Sequence, residues 1–207
     1  MPLTRKQRLD HDTWLGVWKM DEPLDILPRP RHVDLGQYKT QRLREKLTEY
    51  ALLGELTNVD GLMINHDEDG APLVEGFHVS ISHTKGWAAM IVSGSHRSGV
   101  DMEYMSDRVN RVASRFLRDD EPQDTLEGKL ITWCAKEAAY KYYHEQHLGL
   151  LEMRLLPFAP QEKGVACLEN LRQGSQATVC YEVNHDYVLT FIMEQAFTHN
   201  YYFFTHS

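Results

Sequence analysis

Cysteine is scarce: the 207-residue chain has only Cys134, Cys167 and Cys180, widely spaced and with no Cys-x-x-Cys pair. Neither a disulfide framework nor a zinc ribbon follows from so few thiols. Long apolar runs are missing too, since no stretch reaches the roughly 18 consecutive apolar residues of a membrane helix. The opening Met-Pro-Leu-Thr-Arg-Lys-Gln-Arg lacks the apolar core of a secretory signal. A reducing, cytoplasmic location without a membrane partner is therefore expected. Basic charge is also in short supply, with Lys+Arg 22 against Asp+Glu 30, a net charge of −8 and a pI near 5.7. That balance excludes a bulk-electrostatic nucleic-acid binder, because phosphate neutralisation needs clustered basic surface. Any anionic partner must be met by a local basic patch. What is present is ordinary globular composition, 42% hydrophobic and 10% aromatic with a mean hydropathy of −0.48. Disorder is excluded, and the length suits one large domain or two small lobes.

Local periodicity divides the chain further. A short apolar segment with Trp14, Leu15, Val17 and Trp18 precedes a proline-punctuated loop over 21–30. Over residues 37–57, Leu43, Leu47, Tyr50, Ala51 and Leu53 fall at helical spacing among charged residues and predict an amphipathic helix. Phe77, Val79 and Ile81 then alternate with His78, Ser80 and Ser82, as a half-buried strand requires. Residues 87–92 and 99–104 follow after short turns, so the three segments predict an antiparallel meander. Helical spacing returns over 107–118 and 125–147, and a hairpin over 177–194 turns at His185-Asp186. Helix then strands, repeated once, predicts an α+β fold of two similar lobes related by a pseudo-twofold. Each lobe is an antiparallel sheet packed with a long helix, with residues 1–94 forming the first and 95–207 the second.

The most informative run is Gly99-Val100-Asp101-Met102-Glu103. On a strand, residues two apart share a face, so Asp101 and Glu103 present paired carboxylates while Val100 and Met102 face inward. Two adjacent like charges invite a bridging cation, and an all-oxygen set favours Mg²⁺ or Mn²⁺ over zinc. A solvated strand face is the other reading of the pair. In Trp133-Cys-Ala-Lys136-Glu137-Ala-Ala-Tyr140-Lys141, Trp133, Glu137 and Lys141 repeat at i, i+4, i+8 and share a helix stripe. That spacing suits a carboxylate on a metal and an ammonium on phosphate oxygens, or equally a surface helix pair. His144-Glu-Gln-His147 has two residues between its histidines, whereas the zinc-hydrolase pattern needs three.

Taken in order, Phe77-His-Val-Ser-Ile-Ser-His83, Gly99-Val-Asp-Met-Glu103 and Trp133-Cys-Ala-Lys-Glu-Ala-Ala-Tyr-Lys141 resemble the 4′-phosphopantetheinyl transferase superfamily. An Arg-Phe-Leu…Asp120-Glu121 segment lies between the last two, and the length resembles the two-lobed, surfactin-synthetase-activating type. The resemblance implies transfer of the phosphopantetheine arm of coenzyme A to a serine of an apo acyl or peptidyl carrier protein, releasing 3′,5′-ADP. It implies that Asp101, Glu103 and Glu137 hold Mg²⁺, and that Lys136 and Lys141 lie near the phosphates. Ser82 and His83 would contact a CoA phosphate. Arg42, Lys46 and Lys39 on the first-lobe helix would correspond to basic residues near the 3′-phosphate, on the nucleotide side of CoA. Glu137 would be general base or ligand, with Lys136 and Lys141 assisting catalysis. The chain departs from the family where Gly-Lys-Pro is common and Gly70-Ala71-Pro72 stands here, which removes one expected adenine contact.

Arg108, Arg111, Arg115 and Arg118 recur at +3, +4 and +3, lining one face if 107–118 is helical. A basic stripe on an acidic chain suits an acidic carrier protein, the partner that the resemblance implies, and a solvated helix is the plainer reading. Two other functions remain compatible with the residues: a non-catalytic carrier-binding module, or another Mg²⁺-dependent phosphate-ester enzyme. Two lobes in one chain make a monomer sufficient.

Overall fold

In the computed structural model, which describes residues 3–121 and 123–194, the chain divides into two compact units, Met1–Ser98 and Gly99–Ser207. Residues 195–207 of the second expected lobe lie outside the described residues. Each unit is an antiparallel sheet with one long helix, the α+β arrangement that the periodicity predicts.

The first unit contains β1 (Leu3–Arg8), β2 (Thr13–Lys19), α1 (Thr40–Thr57), the small hairpin β3 (Asn65–His66) and β4 (Pro72–Leu73), then β5 (His78–Thr84) and β6 (Trp87–Ser93). Its main sheet runs β1-β2-β6-β5, with Gly16 opposite Met90 and Ser82 opposite Ala89. α1 packs its Leu47, Leu52, Leu53 and Leu56 onto Met90 and Val92. It comes so close to β2 that a Cβ on Gly16 would lie 2.7 Å from Leu52 Cδ2. α1 stops at Asn58, whose φ of 54° ends the helix in the left-handed region, where asparagine is among the better-tolerated residues.

The second unit contains β7 (Ser98–Tyr104), the single-turn α2 (Val109–Val112), α3 (Leu126–Tyr142), β8 (Met153–Leu155), β9 (Lys163–Asn170), β10 (Ser175–Val183) and β11 (Tyr187–Met193). Its sheet runs β7-β11-β10-β9-β8. The meander expected over 77–104 is therefore only a hairpin. β5 and β6 pair, but β7 leaves them and lies beside β11, a residue pairing that short turns in the sequence do not reveal.

α3 begins at Thr125, whose Oγ1 accepts a hydrogen bond from the Gly128 N–H at 3.0 Å. Its buried face carries Ile131, Cys134, Ala135 and Ala139 against Val179, Val188 and Ile192 of the sheet. The helix ends at Tyr142, short of the expected 147, and the chain turns through His147 at φ 47°. The helix expected over 107–118 is also curtailed: one α-turn passes into a 3₁₀ turn at Ala113–Arg115, because Phe116 leaves helical geometry to enter the core, fully buried.

Candidate active site

Small residues bring β7 and α3 together. A Cβ on Gly99 would lie 1.9 Å from the backbone oxygen of Ala138, so only glycine permits this approach of strand to helix. With Ala135, Ala138 and Ala139 buried on α3, Asp101 and Glu103 of β7 come to rest near the stripe Trp133–Glu137–Lys141. Val100 and Met102 are buried as expected, at 0% and 1% exposure, and Asp101 between them is buried as well, at 7%.

Lys141 Nζ donates to Asp101 Oδ1 at 2.8 Å and to the Val100 carbonyl at 2.8 Å, locking helix to strand. Trp133 Nε1 donates to Glu103 Oε1 at 3.3 Å. Glu137 sits between these pairs with its carboxyl pushed up to about 7 by burial first and then by the negative charge of Asp101 and Glu103; Lys141 opposes this. Burial and the same two carboxylates also push the Cys134 thiol up, so it stays protonated and inert as a nucleophile. Three carboxylates thus gather in a half-buried place beside the Lys141 ammonium, with the exposed Arg108 acting on Glu103. That charge excess and an all-oxygen donor set fit a hard divalent cation. In this structure they are not drawn into one tight group of ligand atoms.

Alongside Glu103 lies a groove of about 210 Å³, with Val109, Val112, Leu130 and Trp133 as apolar wall and Ser106 and Arg108 as polar lining. Residues 97–192 match the family model described as the 4′-phosphopantetheinyl transferase superfamily. The match covers 96 of the 207 residues and falls almost wholly within the second unit. No curated protein matches the chain.

Against that match to a transferase superfamily, the other expected residues sort into three groups. Lys136, expected near the phosphates, lies in the core. Its side chain is 0% exposed, and its ammonium donates to the Phe116 carbonyl and to Glu121 Oε2, both at 2.6 Å. Glu121 in turn accepts from the Leu155 N–H and the Arg118 N–H. Helical phase explains the difference, since Lys136 lies one residue before Glu137 and therefore points about 100° away, into the core.

In the first unit, Lys46 is also internal, paired with Glu49 at 2.7 Å and only 7% exposed. His83 Nε2 lies 3.3 Å from Glu49 Oε1 without hydrogen-bond geometry, and burial lowers its affinity for a proton. Ser82 is buried beside it on β5. Arg42 is half exposed and pairs with Glu45 at 2.9 Å, and Lys39 is exposed at the start of α1. None of these residues lines the cavity of about 570 Å³ in this unit, which Arg29, Arg31, His32 and Tyr50 help to form.

The arginine stripe is broken rather than continuous. Arg108, which donates to the Tyr104 hydroxyl, is exposed, as are Arg111 and Arg115; Arg118 is tied to Asp120 and to the Leu151 carbonyl. Glu49 and Glu121 are the partners of buried lysines that sequence reasoning missed: Lys46 and Glu49 carry the i,i+3 helix spacing that signals such a pair, whereas Lys136 and Glu121 have no local signature. No helix of the described residues is long and apolar enough to cross a membrane.

Proposed function

We propose that the chain is a phosphopantetheinyl transferase that moves the 4′-phosphopantetheine arm of CoA to a serine of an apo carrier protein. The observation that carries this reading is the meeting of Asp101, Glu103, Glu137 and Lys141 on β7 and α3, inside the segment that matches the superfamily.

Asp101, Glu103 and Glu137 would hold Mg²⁺, which supplies charge neutralisation of the CoA pyrophosphate when bound. Phosphoryl transfer otherwise asks for positioning and electrostatic stabilisation rather than covalent help. Glu137, with a carboxyl that titrates about 7, is poised to accept the serine proton as the serine oxygen forms its bond to the β-phosphorus. The bond from that phosphorus to the departing 3′,5′-ADP breaks. Lys141, one turn on, offers an ammonium that can exchange Asp101 for a phosphate oxygen. The groove beside Glu103 suits the slender, partly apolar pantetheine arm. At the nucleotide end Ser82, His83 and Arg42 are the candidate contacts. His83 there acts as a neutral hydrogen-bonding group, because burial disfavours its charged form. Exposed Arg108, Arg111 and Arg115 would dock the acidic carrier and steer its approach.

The test is incubation with CoA, Mg²⁺ and an apo acyl or peptidyl carrier protein, followed by mass spectrometry. A phosphopantetheine mass increment on the carrier is expected, and Glu137→Gln should slow its appearance by roughly 10²- to 10⁴-fold. No increment on any of several carriers, with the fold intact, overturns the reading in favour of a carrier-binding module.

A further inference from the structure

A second cluster of ligand-type side chains lies in the first unit, unrelated to the carboxylates of β7 and α3. Asp10, His11 and Asp12 occupy the turn between β1 and β2, and His96 follows β6. One ligand atom from each of the four lies within 4.8 Å of all the others. Backbone and hydroxyl bonds hold the two turns together. The Gly94 N–H donates to the Asp12 carbonyl at 3.2 Å, while Ser93 Oγ accepts from Thr13 Oγ1 at 2.8 Å and from the His96 N–H at 3.0 Å. His11 reaches toward both acids, with Nδ1 3.8 Å from Asp10 Oδ1 and Nε2 3.6 Å from Asp12 Oδ2. The imidazoles of His11 and His96 stand 6.1 Å apart, edge to face.

An independent observation points to a ligand. The Asp10 side chain is only 9% exposed, and its Oδ2 is buried with no hydrogen-bond partner. A buried carboxylate oxygen without a donor is unfavourable and rare in folded proteins. A cation at the cluster removes that cost.

We propose that Asp10, His11, Asp12 and His96 form a four-ligand site for a divalent transition-metal ion of the zinc class. Two imidazoles select against Mg²⁺ and Ca²⁺, which prefer oxygen donors, and suit zinc, cobalt and nickel. Four protein ligands leave no open position, so the ion acts as a staple between the two turns rather than as a catalyst. The site differs in donor chemistry from the all-oxygen set of Asp101, Glu103 and Glu137, and it stands whether or not the transfer activity is found.

The whole chain, stripped with chelator and then dialysed against Zn²⁺ with excess Mg²⁺, should retain one zinc by elemental analysis and melt at a higher temperature. Co²⁺ in its place should give the visible absorption of a four-coordinate site. His96→Ala should weaken zinc binding by more than the roughly 10–100-fold that outer-shell changes cost. His11→Ala, at a side chain 71% exposed and so safe for folding, should do the same; His144→Ala should not. Absence of retained zinc, its displacement by Mg²⁺, or equal retention by His11→Ala and the unsubstituted chain would overturn the proposal.

Discussion

Each unit places charged side chains where its long helix meets a strand, and the two clusters differ in balance. In the first, Lys46 and Glu49 of α1 neutralise one another, with a neutral His83 of β5 beside them. In the second, the carboxylates of Asp101, Glu103 and Glu137 gather beside Lys141, with Arg108 acting on Glu103, and burial first and then the neighbouring carboxylates push the Glu137 carboxyl up to about 7. A balanced buried pair is self-sufficient, whereas an unbalanced one calls for a cation from outside. The closeness of helix to strand also differs: Gly16 makes room for a leucine side chain, which can shift, and Gly99 makes room for the backbone of Ala138, which cannot.

The same substitution should act with opposite sign in the two clusters. Glu49→Gln leaves Lys46 buried and uncompensated, and unfolding in urea should show a loss of about 3–5 kcal/mol. Glu137→Gln should gain stability instead; a loss there in metal-free buffer would erase the contrast. Next in size, Gly99→Ala should lose about 3 kcal/mol and Gly16→Ala about 1 kcal/mol, because one added methyl meets fixed backbone and the other a mobile side chain. Equal losses would mean that strand and helix separate as easily in either unit.

The gain in Glu137→Gln depends on pH. The folded protein holds the Glu137 proton up to about 7, above the ordinary 4.5, whereas the unfolded chain releases it near 4.5. That contribution to stability is fully present below 4.5 and is lost as pH rises through about 7. At pH 8 without metal, the glutamine variant should therefore exceed the unsubstituted chain by about 1–2 kcal/mol, after allowance for solvent screening. At pH 4 the two should match. Mg²⁺ should raise the melting temperature of the unsubstituted chain at pH 8 and leave that of the variant nearly unchanged. The smallest effect concerns the surface: reversing Arg111 and Arg115 to Glu should raise the KM for an acidic carrier by about tenfold or less, leave CoA affinity alone and weaken the salt dependence. An unchanged KM would remove these residues from docking.

Much of the site was legible because its logic is local. Asp101 and Glu103 share a strand face by the period of two, and Trp133, Glu137 and Lys141 share a stripe by the period of the helix. The same periodicity exposed the long helices and the β10–β11 hairpin. It misplaced the third strand of the expected meander, since a strand's neighbours depend on pairing partners nearly a hundred residues away. The family resemblance implies Lys136 near the phosphates, but a motif of consecutive residues does not say which side chain the core will claim, and here Glu121 and the Phe116 carbonyl hold this ammonium.

The sequence by itself determined which residue types sit side by side along each element, and so the carboxylate chemistry of the second unit. Only the tertiary structure decided which charges oppose one another: that Lys141 rather than Lys136 faces Asp101, that Lys136 is bound to Glu121, and that His96 joins Asp10, His11 and Asp12. The physical reason is that backbone periodicity acts within a few residues. Burial and Coulomb attraction act through space, between groups that the chain separates widely.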